Sequence, residues 1–289
     1  MKPAVVMVRD FEDYTTRVNE LGLDGWVFRG HSRVRWRIES SLARYLRTHQ
    51  LNIREDWHDV RELNSIHNFQ KAAHQFISHL PPVEDLLSWL AVMQHFGAPT
   101  RLIDFTYSPH VALFFAATGS VAPVKFGEDL LEDELDERYG PYEIHALSFK
   151  QISTFTKQML RTNGPPRQHR YKIGASNEQD EDFIGFFEGR WHNPRQVAQQ
   201  GLFIIPSKID MDIHAFIESC KLKKPGSPSN WVIFRFEGGR KAYKQMARNL
   251  VGANLSEASL FPGIEGIARS LHLKWYEPTA AFALTEPVN

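Results

Sequence analysis

Helical spacing of apolar residues fills the first half of the chain, and short branched or alternating apolar runs recur in the second. That distribution points to an α+β fold with one domain. Around Phe11, Tyr14 and Val18 the stretch from Val5 to Leu21 predicts an amphipathic helix, leading into an apolar run at Trp26, Val27 and Phe28 that reads as a strand. Leu63, Ile66, Phe69, Ala73 and Phe76 predict a helix from Asp56 to His79, stopped by Pro81 and Pro82. A second runs from about Val83 to Phe96 and ends at Gly97. Val111 to Ala117 is apolar throughout and reads as a buried helix, with Ser108 as N-cap and Pro109 as its first residue. Strands are expected at Tyr142 to Phe149, Leu202 to Ile205 and Trp231 to Phe236, and a C-terminal helix opens near Pro262. Segments near 125–140 and 161–182 read as exposed insertions within a domain spanning 1–289, and 221–230 as an exposed connection.

Lys plus Arg and Asp plus Glu both number 34, so the average field steers the protein toward neither nucleic acid nor anionic membrane. A nucleic-acid role would need a local patch. The single cysteine, Cys220, excludes an intrachain disulfide and a cysteine-rich zinc module, which suits a reducing compartment; a cytoplasmic protein is expected. No apolar run approaches a membrane span, and the N-terminal one is too short for a signal peptide. Thirteen histidines are scattered without a metal-binding spacing, so no metal is expected. Phosphate-binding GxxxxGK[ST], GxGxxG and the GxSxG elbow are all missing.

Three segments concentrate functional groups. In Trp26 to His31, Arg29 ends an apolar run beside Gly30. It reads either as a bidentate anion anchor next to a tight turn or as one half of a structural ion pair. Gln94 to His110 packs Gln94, His95, Thr100, Arg101, Asp104, Thr106, Tyr107, Ser108 and His110 around Gly97 and two prolines. A binding site and a loop locked by an Arg101–Asp104 pair remain alternatives there. Trp191 to Pro206 carries Gln199 and Gln200 into a glycine and an apolar strand. These amides can grip a ribose or carboxamide, or satisfy nearby backbone, but cannot act as a general base.

Together, Phe28-Arg29-Gly30, then Gln94-His95-x-Gly97-x-Pro99-Thr100-Arg101-Leu102-x-Asp104, then Ser108-Pro109 with Ala112 and Phe115-Ala116, resemble the bacterial FRG-domain family. Arg195 to Phe203 and Phe261-Pro262-Gly263 extend the likeness. The pattern is distantly similar to the ADP-ribosyltransferase superfamily, whose split β-sheet binds NAD in a cleft. That resemblance implies an NAD-dependent transferase, a toxin or phage-defence effector modifying a protein or nucleic acid, with an antitoxin or inhibitor as a further partner and no membrane. It implies that Arg29 holds a phosphate or the nicotinamide ribose of NAD, with Gly30 beside it, and that Arg101 with Asp104 shapes the cleft along with Thr100. Thr106 and Ser108 would stand where such enzymes carry Ser-Thr-Ser, and His95 or Tyr107 would meet base or acceptor. Gln200 or Gln199 would fall at the place of the catalytic glutamate. An amide there departs from the pattern, leaving Asp104 or Glu188 as the alternative acid. Two other readings stand beside it: a nonenzymatic nucleotide-sensing or protein-interaction module, and an RNA-directed enzyme using Arg33, Arg35, Arg37, Arg44 and Arg47 around Trp36 and Tyr45.

Overall fold

A computed structural model describes residues 2–51, 55–120, 139–160, 182–189, 194–220 and 229–276. Most of both expected insertions and of the 221–230 connection lies outside the described residues. Seven strands form one mixed sheet in the order β1-β7-β4-β2-β3-β6-β5, where β1 is Ala4–Met7, β2 Trp26–His31, β3 Ile103–Thr106, β4 Tyr142–Ser148, β5 Ile184–Phe187, β6 Gly201–Pro206 and β7 Trp231–Phe236. Only β1 and β7 pair in parallel; the other pairs are antiparallel.

Helices cover both faces. On one, α1 (Phe11–Leu21), α5 (Pro109–Ser120) and α9 (Arg240–Gly252) bury Tyr14, Leu113 and Met246 against Phe28, Ile144 and Phe234. On the other, α3 (Glu55–Ala73), α4 (Leu86–His95), α6 (Phe149–Met159) and α8 (Ile213–Ser219) pack Ile66, Leu90, Ile152 and Ile217 against Val27, Leu147 and Ile204. This two-sided burial explains why β4 is buried at every position rather than alternating. Short helices α2 (Ser41–Thr48), α7 (Pro194–Ala198) and α10 (Glu257–Leu260), with α11 (Ile264–Tyr276), complete the described elements.

Asp10 divides the helix expected from Val5 to Leu21. Its carboxylate accepts from the Asp13 N–H at 2.9 Å and caps α1, while the branched residues before it form edge strand β1. The helix expected to reach His79 ends at Ala73, and that expected from Val83 begins after Asp85, whose side chain accepts from the Ser88 N–H. Around Val111 the reading holds: Pro109 is the first helical residue, and Ser108 Oγ accepts from the Val111 N–H at 3.3 Å.

The joint between β2 and β3 is the weakest in the sheet. Those strands share one register pair, Phe28 with Thr106, whereas β2 and β4 share six. The sheet therefore splits into β1-β7-β4-β2 and β3-β6-β5, and a cleft opens at the split.

Candidate functional site at the split of the sheet

A cavity of about 350 Å³ occupies this split. β2 contributes Arg29, β3 contributes Asp104 and Thr106, α4 brings Gln94 and His95, and the α7–β6 segment supplies Arg195 and Gln199. Phe28, Phe115 and Phe203 make its apolar walls.

Where the β2–β3 ladder stops, the half-buried Arg29 crosses the gap. Its Nη1 donates to the Asp104 carbonyl oxygen at 2.5 Å, and its Nε donates to His31 Nε2 at 3.2 Å. No carboxylate pairs with Arg29 among the described residues. Burial pulls its guanidinium below the ordinary arginine value; Asp104 opposes this, and Arg44 adds repulsion. Arg195 lies over the Phe261 ring at 4.5 Å and also lacks a carboxylate partner among the described residues. Burial lowers its pKa as well, and Asp104 again acts against the shift. Asp104 is the one carboxylate among the cavity-lining residues, and its side chain is exposed. The site therefore presents two arginines to one acid, a surplus of positive charge suited to an anion.

His31 stands behind Arg29 in a buried polar network. Because His31 Nε2 accepts from the guanidinium, its Nδ1 carries the proton, and that buried N–H has no hydrogen-bond partner among the described residues. Burial together with His145, Arg29 and His214 pushes the His31 pKa far down, so the ring is neutral. Next to it, Trp231 Nε1 donates to His145 Nδ1 at 3.1 Å, and His145 Nε2 donates to Glu143, which Arg235 also engages. His31, Glu143 and His145 lie close enough together to suggest a metal centre. The hydrogen bonding argues otherwise. Indole is an obligate donor, so His145 Nε2 must be protonated, and it has no lone pair for a metal while that bond stands.

Six sequence-predicted site residues line this cavity: Arg29, Gly30, His95, Asp104, Thr106 and Gln199. Their parts differ. Burial, reinforced by Arg195, lowers the His95 pKa, leaving a neutral imidazole. Thr106 Oγ1 donates to the Gln199 carbonyl at 2.7 Å and accepts from the Ser108 N–H, fixing the β3 end to the β6 approach. Gln199 Nε2 donates to the Leu260 carbonyl. Gly30 is not a turn residue, for β2 runs through it to His31. A Cβ there would sit 2.1 Å from the Ala112 carbonyl oxygen and 2.7 Å from the Ala116 nitrogen, so glycine lets α5 lie directly on the sheet.

Six expected residues lie outside the cavity lining: Thr100, Arg101, Tyr107, Ser108, Glu188 and Gln200. Arg101 is wholly buried and pairs with Glu62 and Asp59, each at 2.6 Å, and not with Asp104; it also donates to the Ser207 carbonyl. It is a structural ion centre rather than a cleft group. Thr100 is also fully buried: its hydroxyl donates to Gln94 Oε1 and accepts from the Leu102 N–H, so it reaches the cleft only by orienting Gln94. Ser108 caps α5. Gln200 takes a left-handed turn at φ 47° before β6, and its carbonyl accepts from the Tyr107 N–H, so its role is in the backbone. Tyr107 donates to Glu188, and burial followed by that carboxylate raises the phenol pKa well above its usual value. Sequence reasoning missed Arg195 as an anion group. It lay within a singled-out segment, but its position on a five-residue helix at the wall of this cavity is a tertiary fact.

Residues 24–123 match the family model described as the FRG domain, which supports the FRG likeness across β2, α2 to α4, β3 and α5. No curated protein and no solved structure matches the chain.

Proposed function

We propose that the cleft binds NAD and that the protein is an ADP-ribosyltransferase-like enzyme. The carrying observation is Arg29, an arginine without a carboxylate partner held across a split in the sheet, with Arg195 facing the same cavity. Two such cations suit a pyrophosphate, and the apolar walls suit the rings of a dinucleotide. On this reading the bond between ribose C1′ and the nicotinamide nitrogen breaks with its electron pair leaving on nicotinamide. The acceptor's lone pair forms the new bond, and its proton passes to Asp104. The same carboxylate favours positive charge developing on the ribose. Asp104 takes this part because the β6 approach carries Gln199 and Gln200, neither able to hold negative charge. A bacterial effector acting as a toxin or in phage defence, on a protein or nucleic-acid acceptor and restrained by an inhibitor, fits such an activity.

A second reading, a nucleotide-binding module without turnover, is favoured by that same absence of a glutamate before β6. Incubation with labelled NAD, followed by release of nicotinamide and transfer of label to protein and RNA, separates the two. Wild type should transfer label, and Arg29→Ala and Asp104→Ala should not. Calorimetric NAD binding without consumption would select the module. Neither binding nor consumption by folded protein would reject both.

A further inference from the structure

We propose that Gln94 and Gln199 give the cleft a fixed hydrogen-bonding polarity, Gln94 as donor and Gln199 as acceptor. Such a pair selects a flat group that carries an acceptor beside an N–H. The inference rests on the NAD reading of the cleft and adds which feature of the dinucleotide is recognised. Both glutamines are half-buried and line the cavity. An amide by itself is ambivalent, because one end accepts and the other donates. A neighbour of fixed polarity removes the choice.

Thr100 removes it for Gln94. The threonine is fully buried; its hydroxyl donates to Gln94 Oε1 and accepts from the Leu102 N–H at 3.2 Å. Its backbone is held as well, for the Thr100 N–H donates to Ser41 Oγ at 3.0 Å and its carbonyl accepts from the Ser41 hydroxyl and the Leu42 N–H. With Oε1 engaged, Gln94 Nε2 keeps N–H groups that have no partner among the described residues. The Leu260 carbonyl does the same for Gln199. A carbonyl can only accept, so it takes Nε2 at 3.0 Å and leaves Oε1 as the free end. Turning either amide over would strand a buried hydroxyl proton or set two carbonyl oxygens against each other. NAD carries the complementary pair twice, in the oxygen and amino group of the nicotinamide carboxamide and in N1 and the 6-amino group of adenine.

Calorimetric titration of the protein with NAD, nicotinic acid adenine dinucleotide and nicotinamide hypoxanthine dinucleotide tests the pair and separates its two sources. The first analogue lacks the carboxamide N–H; the second makes N1 a donor and puts a carbonyl in place of the amino group. NAD should bind about tenfold or more tightly than one of them, and the weaker analogue names the end of the dinucleotide that the glutamines hold. Gln94→Met should shrink that ratio to within about threefold of unity. Thr100→Val, close in volume, frees the amide to turn and should shrink it likewise, whereas Thr100→Ser retains the hydroxyl and should keep it. Each ratio compares ligands on one protein sample, so a loss of folded protein does not move it. Equal affinity of wild type for all three ligands overturns the proposal and leaves the NAD reading standing. So does a ratio that survives Gln94→Met or Thr100→Val, or that Thr100→Ser abolishes. Folded wild type that binds none of the three overturns both.

Discussion

Gly30→Ala tests whether the second residue of the Arg-Gly pair belongs to packing rather than to ligand approach. Ordinary carbon contacts begin near 3.5 Å. The added methyl would lie 2.1 Å from the Ala112 oxygen and 3.1 Å from the Ala112 carbonyl carbon. Relief needs more than about 1 Å of separation between α5 and β2. The obstacle is backbone within a helix buried from Val111 to Phe114, so no side chain can swing aside. Overpacking that side chains can absorb costs about 1–3 kcal/mol, so this backbone clash should cost about 3 kcal/mol or more. For a chain of this size that is a fall in Tm of roughly 6–12 °C. Gly252→Ala, at the end of α9 with nothing within 4 Å of the added carbon, is the control and should hold or slightly raise the melt. Circular dichroism melts of both variants decide the matter: a Gly30→Ala protein melting with wild type would refute the packing account and return Gly30 to the ligand.

Replacing Arg101 with Met strands the buried Glu62 carboxylate and should cost about 3–5 kcal/mol in a urea unfolding titration, whereas NAD binding by whatever protein remains folded should persist. Acid should weaken the fold through His31. Its folded pKa lies below the unfolded value near 6.5, so the unfolded chain binds the proton first; stability is full above that value and declines by up to about 1.4 kcal/mol per pH unit below it. Urea melts at pH 7.5 and 5.5 should show a smaller drop for His31→Gln than for wild type, and equal drops would remove His31 from the account.

The elements legible in the sequence were those with one strong local signal. Pro109 after Ser108 marked α5, alternation marked β4, an apolar run with branched residues marked β6, and β7 carried a strand-like apolar run. β1, β3 and β5 have four residues each, too short for a period to show, and their strand identity comes from the neighbours they pair with. Likewise, Arg29 and Asp104, which line the cavity, were legible as candidates because charges beside apolar runs stand out. Arg101 carried the same signal and has a different role: its partners Glu62 and Asp59 lie some forty residues earlier on α3, a distance along the chain that no local pattern spans. Gly30 was noticed for the right missing Cβ and the wrong neighbour: no turn needs its freedom, and the atom that excludes a Cβ belongs to Ala112.

The one-pair joint between β2 and β3 makes Arg29 a rivet as well as a candidate ligand group. Past Phe28 and Thr106, the link described across that gap is its guanidinium on the Asp104 carbonyl. An anion that draws Arg29 away gives up that hydrogen bond, while the core shared by Val27, Ile103 and Ile204 keeps the two halves packed; an anion that leaves the guanidinium seated retains both. Occupancy of the cleft and the hydrogen bonding past the end of the β2–β3 ladder thus meet in a single side chain, and amide exchange along β3 would register either outcome.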